Sequence, residues 1–242
     1  MKTHPPEVYE SIVGLIGQTP ILYLHSFDQG EVACIYAKLE FLNPGGSHKD
    51  RTALGMILDA EKNGRLKKGA TIIETTTGDT GIGLAMVGAV RGYQVVLLVP
   101  ERFSPEKRDL MRALGANLIT VPDEEGREGI QRRIRELMES IPDTFVSQQF
   151  ENPANPDTHY RTTAKEIYSQ MEGKLDAMVI GARSGGTFTG VTRYLKERNP
   201  GIRAVLVEPV GSILGGGAAQ PHRVEGIGSS IEPEVLDRKL ID

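Results

Sequence analysis

Short runs of almost unbroken apolar and β-branched residues recur along this chain, and the stretches between them have helical periodicity: that alternation restricts the fold more than any other feature. The runs are IYAKLE near 35, TIIETT near 71, QVVLLVP near 94, NLITVP near 117, AMVIGA near 177 and AVLVEP near 204. A strand half-exposed to water alternates apolar with polar residues, whereas a continuous apolar run suits a strand covered on both faces. The intervening segments carry helix signals. DRTALGMILDAEKNG ends in Gly64, and SPEKRDLMRALGA opens with Ser104 at the N-cap and Pro105 in the first helical position. Strands alternating with helices imply a doubly wound α/β architecture with parallel sheets. At 242 residues the chain has room for two such lobes sharing a cleft. The Pro/Asn-rich ENPANPDT after Gln149 is the one internal boundary that the sequence suggests.

Several function classes are disfavoured at this stage. No apolar run reaches the roughly 18–20 residues that span a bilayer, and the formal charge of −4, with signs interspersed, does not make the basic face a nucleic-acid groove needs. Neither a membrane nor a nucleic-acid partner is expected. MKTHPPEVYE lacks an apolar export segment, so the cytoplasm is the expected location. Cys34, within VACIYA, reads as a buried structural thiol. His4, His25, His48, His159 and His222 show no paired helical spacing, and no metal site is expected.

Three segments carry chemistry. NPGGSHKDR, residues 43–51, is a glycine turn leading into a helix with Lys49 in its first turn. The positive end of the helix dipole disfavours a cation there and lowers the amine pKa, which helps a lysine act as nucleophile or base; a solvated helix-start lysine is the alternative. ETTTGDTGIG, residues 74–83, places the hydroxyls of Thr75, Thr76, Thr77 and Thr80 between a strand and a helix, as a nest for a carboxylate or phosphate or simply a capped turn. GARSGGTFTG, residues 181–190, repeats the strand-to-helix pattern, with glycines that admit an anion to backbone N–H groups and with Ser184 and Thr187 as donors. It lacks the GK[ST] ending of a nucleotide-hydrolysing loop. Two anion nests and a helix-start lysine at the C-terminal edge of one sheet system describe a site for pyridoxal phosphate, which needs a lysine for its aldehyde and a nest for its phosphate.

Through these motifs, together with IGQTP, QQFENPANPDTHYRTTAKEI and VEGIGSSIEPEVLD, the chain resembles the fold-type II pyridoxal-phosphate enzymes of the cysteine synthase and cystathionine β-synthase group. The resemblance implies Lys49 as the Schiff-base lysine, with Thr76, Thr77, Thr80 and Gln149 around the substrate carboxylate. It implies a phosphate loop of Ser184, Gly185, Gly186 and Thr187, with Asp79 and Arg183 also at the cofactor. It further implies a homodimer whose mobile smaller lobe, 46–150, closes on a larger lobe formed by 1–45 and 151–242. The expected reaction is β-replacement on serine, O-acetylserine or O-phosphoserine by sulfide or a thiol, cysteine synthase-like. Cystathionine β-synthase activity and a non-catalytic relative that only binds in the cleft are the alternatives.

Departures from the family pattern touch the site. Where the family has Pro-Thr-Ser-Gly-Asn-Thr, this chain has Thr75-Thr76-Thr77-Gly78-Asp79-Thr80. The family's asparagine donates to the cofactor's ring oxygen, whereas an ionised aspartate only accepts. Asp79 is therefore expected either to take up a proton or to swing away. Arg183 replaces a glycine of the phosphate loop; its guanidinium either binds the phosphate or blocks close approach of the backbone. Relatives continue beyond KLID with elements that complete the larger lobe, so that lobe is expected to be incomplete and to expose apolar sheet surface.

Overall fold

The structure, a computed structural model, describes residues 8–27 and 34–242; His4 and most of the N-terminal segment fall outside them. An antiparallel ribbon comes first, β1 (Ile21–Tyr23) against β2 (Tyr36–Lys38). Four parallel strands follow, β3 (Thr71–Thr75), β4 (Gln94–Pro100), β5 (Asn117–Val121) and β6 (Thr144–Val146), in the order β5-β4-β3-β6. A second parallel pair joins β7 (Ala177–Gly181) to β8 (Arg203–Val207). The helices are α1 (Lys49–Lys62), α2 (Asp79–Arg91), α3 (Pro105–Ala113), α4 (Gly126–Ser140), α5 (Ala154–Arg161), α6 (Thr163–Gln170) and α7 (Gly186–Arg198).

The continuous apolar runs of β3 and β4 have the cause inferred from the sequence, burial on both faces. Side chains of β4 point alternately to the two faces of its sheet. Val95, Leu97 and Val99 enter the core formed with α1 and α2, through Met56, Ile57 and Leu84. Val96 and Leu98 enter a second core with Ile73, Val121 and Ile134 of α4. Ser104 caps α3 as expected, its hydroxyl accepting from the Lys107 amide, with Pro105 in the first turn.

Two expectations need correction. IYAKLE forms β2, but pairs antiparallel with β1 and joins neither parallel sheet. Cys34 is exposed, because it sits just ahead of this two-stranded ribbon, which has little behind it to bury against. ENPANPDT opens α5, whose Ala154, Asn155 and Pro156 are buried and which packs against α1 and α7. The β7–β8 pair does leave apolar surface uncovered, with Val179 66% exposed beside Val205 and Val207. Among the described residues no helix is long and apolar enough to cross a membrane.

The α1 helix is held by ions as well as by packing. Arg51, almost wholly buried, donates to both Glu40 and Glu166, and Lys38 also pairs with Glu166 at 2.7 Å. Removing one partner would leave a buried charge uncompensated. The network fixes α1 against the ribbon and α6, and so fixes the position of Lys49.

Candidate active site

The β3–α2 turn, the β7–α7 turn and the start of α1 converge on two adjoining clefts that share His48, Lys49, Arg183 and Gly226. The smaller is walled by Ser184, Gly185 and Thr187, the larger by Thr76, Thr77, Asp79, Thr80 and Gln149. Sequence reasoning placed both turns on one sheet system; they leave two separate sheets and face each other across the gap.

Lys49 is the first residue of α1, its side chain buried and its Nζ 3.5 Å from Ser184 Oγ. Burial, and then the nearby charge of Arg183, lowers its pKa from the usual 10.5 to about 8. The sequence argument rested on the helix dipole; the structure gives the same direction with burial as the main cause. Burial and the Lys49 charge likewise bring His48 down to about 3, so this histidine beside the amine is neutral. Asp50, at 0% exposure, accepts from the Gly45 amide, while burial pushes its pKa up to about 6.

The β7–α7 turn is shaped to admit an anion. Gly185 has φ +83°, in the left-handed region that favours glycine, and a Cβ there would lie 2.6 Å from Leu236 Cβ. A Cβ at Gly186 would overlap the Asn155 carboxamide. Asn155 Nδ2 donates to Ser184 Oγ at 3.1 Å and to the Gln149 carbonyl at 2.7 Å, so one buried amide ties both cleft walls together. Gly186 itself lies beneath the cleft surface, and Thr187 stands at its edge.

The β3–α2 turn divides its hydroxyls between the turn and the cleft. Thr76 Oγ1 accepts from the amides of Gly78 and Gly81, so it shapes the turn. Thr80 donates to Gln149 Oε1 at 2.7 Å, and Thr77 lines the cleft. Thr75 Oγ1 is buried without a hydrogen-bond partner and lines neither cleft. Beneath the turn lies Glu74, which sequence reasoning passed over although it heads the motif. Its carboxylate accepts from Ser147 Oγ and from the Gln149 and Thr75 amides, and burial raises its pKa.

Asp79 Oδ1 pairs with Lys107 Nζ at 2.8 Å, both side chains one-third exposed. The Lys107 stem runs along Gly78, its Cδ 2.6 Å from where a Cβ would sit. The carboxylate thus meets a cation that no local pattern around Asp79 announced. Arg183 is half-buried and makes no hydrogen bond or ion pair among the described residues; burial, and then the charge of Arg102, lowers its pKa. Lys107 and Glu225 complete the larger cleft, and the sequence reading assigned neither to the site.

Comparison with known proteins decides the family. Residues 12–242 match the model described as pyridoxal-phosphate dependent enzyme. The chain belongs to this family. It is 44% identical over 235 residues to the O-acetylserine dependent cystathionine beta-synthase of Bacillus subtilis (strain 168), covering 97% of this chain and 76% of that protein. It is also 44% identical to a cysteine synthase of Staphylococcus aureus (strain Mu50 / ATCC 700699), over 96% of this chain and 76% of the relative. Among solved structures, O-ureido-L-serine synthase superposes with a TM-score of 0.90 at 42% identity, covering 97% of this chain and 74% of that one. The O-acetylserine dependent cystathionine beta-synthase of Helicobacter pylori gives 0.87 at 46%, covering 93% and 74%. The fold is that of the family, its cofactor is pyridoxal phosphate, and the chain spans about three-quarters of these relatives' length. The residues present fit the group: a buried amine of lowered pKa faces a turn that has no room for a Cβ at Gly185 or Gly186 and opens a 13-residue helix.

Proposed function

We propose that this enzyme catalyses pyridoxal-phosphate-dependent β-replacement, with O-acetylserine or a related serine ester as first substrate and sulfide or a thiol as second. The names of the relatives support this choice, and the observation that carries it is Lys49, buried, with a pKa near 8, against the β7–α7 turn. Lys49 holds the cofactor through its aldehyde. The amides and hydroxyls of Ser184, Gly185, Gly186 and Thr187 hold the phosphate at the start of α7, where the helix dipole favours an anion. When bound, the cofactor supplies an electron sink for charge that develops at the substrate's α-carbon. Lys49 Nζ moves the α-proton, and at pH 7 a pKa near 8 leaves roughly one amine in ten neutral, against fewer than about one in a thousand at the ordinary value. Thr76, Thr77, Thr80 and Gln149 make the wall that would receive the substrate carboxylate: Thr77 lines it, Thr76 shapes its turn, and Thr80 fixes the Gln149 carboxamide, whose Nε2 points toward the turn. Asp79, paired with Lys107, lines the larger cleft and would face the cofactor there, and Arg183 lies where both clefts meet.

The same reading divides the chain into a smaller closing lobe, 46–150, and a larger lobe of 1–45 and 151–242. It takes the working form as a cytoplasmic homodimer. Leu22, Tyr36, Phe41 and Leu42, each exposed on or beside the β1–β2 ribbon, are apolar residues that a second copy could cover. Light scattering of the purified protein tests the dimer.

Formation of cysteine from O-acetylserine and sulfide, or of cystathionine from O-acetylserine and homocysteine, tests the reaction and separates its two thiol classes. A purely binding role is the second reading, favoured by the acceptor Asp79 and by Arg183 in the phosphate loop. Protein that stays colourless with added pyridoxal phosphate would support it.

A further inference from the structure

His159 lies wholly buried on α5, between α1 and α7, both of which pack against α5. Two glycines permit the close approach. A Cβ at Gly55 of α1 would overlap the Thr158 side chain, and one at Gly190 of α7 would overlap the Pro156 carbonyl and lie 3.0 Å from His159 Cβ. In consequence His159 Nε2 faces a hydroxyl from each helix, Thr52 Oγ1 at 2.9 Å and Thr187 Oγ1 at 3.1 Å, while Nδ1 faces Thr163 Oγ1 at 2.9 Å. Thr52 follows Lys49 by three residues on the same helix, and Thr187 lines the smaller cleft.

Burial is the main cause that holds the His159 pKa well below 6.5, so the ring carries a single proton. A neutral imidazole donates from one nitrogen and accepts at the other. Nε2 has one hydrogen-bonding orbital and two oxygens in reach. An N–H can be shared between two acceptors, each oxygen keeping its own proton. A lone pair accepts well from only one hydroxyl, which would leave the second oxygen's lone pairs facing it at hydrogen-bond distance. The geometry favours the proton on Nε2, with Nδ1 accepting from Thr163.

We infer that His159 is a positioning residue: its Nε2–H holds the Thr187 oxygen, turns the Thr187 hydroxyl proton into the cleft as a donor to a phosphate monoester, and ties that donor to the helix beginning at Lys49. The inference rests on the proposed assignment of Ser184–Thr187 to the cofactor phosphate. It gives a buried histidine outside both clefts a role in anion recognition.

Two measurements test it. His159→Phe fills the site without the N–H. It is expected to weaken pyridoxal phosphate binding roughly 10-fold, as loss of a hydrogen bond to a charged group does, and to leave binding of pyridoxal, which lacks the phosphate, within about twofold. In a Thr187→Val background it should cost nothing further. Equal weakening of both ligands, or additive losses, would show a merely structural role and overturn the inference. Nitrogen NMR of imidazole-labelled wild type reads the tautomer with no ligand present and decides the case should the variant not fold. Nε2–H is expected, and Nδ1–H overturns the inference. Failure of the wild type to bind pyridoxal phosphate would refute the proposed cofactor site instead, leaving the tautomer as a separate result.

Discussion

Replacing Lys49 by Met should stabilise the cofactor-free protein near neutral pH, and the expected size follows from the burial of the amine. In the unfolded chain the lysine holds its proton up to about 10.5, whereas in the folded protein it releases it near 8. At 1.36 kcal/mol per pH unit, forcing the proton onto the buried amine costs about 3 kcal/mol. Between pH 8 and 10.5 the unfolded state binds more protons, so this contribution to stability rises with pH, and below pH 8 the full penalty remains. Methionine has a similar stem and no charge. The variant should therefore exceed the wild type at pH 7 by up to about 3 kcal/mol, less whatever the Ser184 contact contributes, and the gap should close by pH 10.5. Urea unfolding of both cofactor-free proteins at pH 7, 8.5 and 10 gives the difference, in which the other titrating groups largely cancel. Parallel pH dependences, or a variant less stable at pH 7, would refute the claim that burial activates this amine.

Other consequences can be checked alongside. Arg183→Gly removes the second cause of the Lys49 shift and should raise the pH midpoint for reaction of the free amine with pyridoxal phosphate, followed by absorbance; an unchanged midpoint would contradict it. Gly186→Ala presses a Cβ into the Asn155 carboxamide and should cost about 1–3 kcal/mol by denaturant unfolding, with weaker cofactor binding. Asp79→Asn loses an ion pair one-third exposed and should change stability by less than about 1 kcal/mol, while strengthening cofactor binding in a titration because the amide donates where the carboxylate only accepts.

Much of this molecule is legible from its sequence, and the parts that are not share a cause. The segments of β3, β4, β5, β7 and β8 stand out as apolar, β-branched runs, and in β4 burial on both faces is the cause, as Leu97 and Leu98 show by entering different cores. Strand β6, only Thr144–Val146, is too short for any periodicity to show. The antiparallel partner of β2 is the three-residue ILY of β1, equally faint. At the site, glycine turns and hydroxyl clusters are local patterns, so Lys49 and both turns could be read directly. The Lys107 partner of Asp79 comes from another helix, and His159 acquires its three threonines from α1, α6 and α7. Such contacts depend on how helices pack and leave no mark on neighbouring residues. Asn155, hidden in the Pro/Asn-rich stretch, is the clearest case: one carboxamide reaches both walls of the cleft.

The central claim is that Lys49 holds the cofactor. Incubating the protein with pyridoxal phosphate, reducing with borohydride and mapping the modified peptide by mass spectrometry tests it most directly. The expected result is a single phosphopyridoxyl group on Lys49, absent from Lys49→Ala. A reduced adduct on another lysine such as Lys107, or its persistence in the Ala variant, would contradict the account.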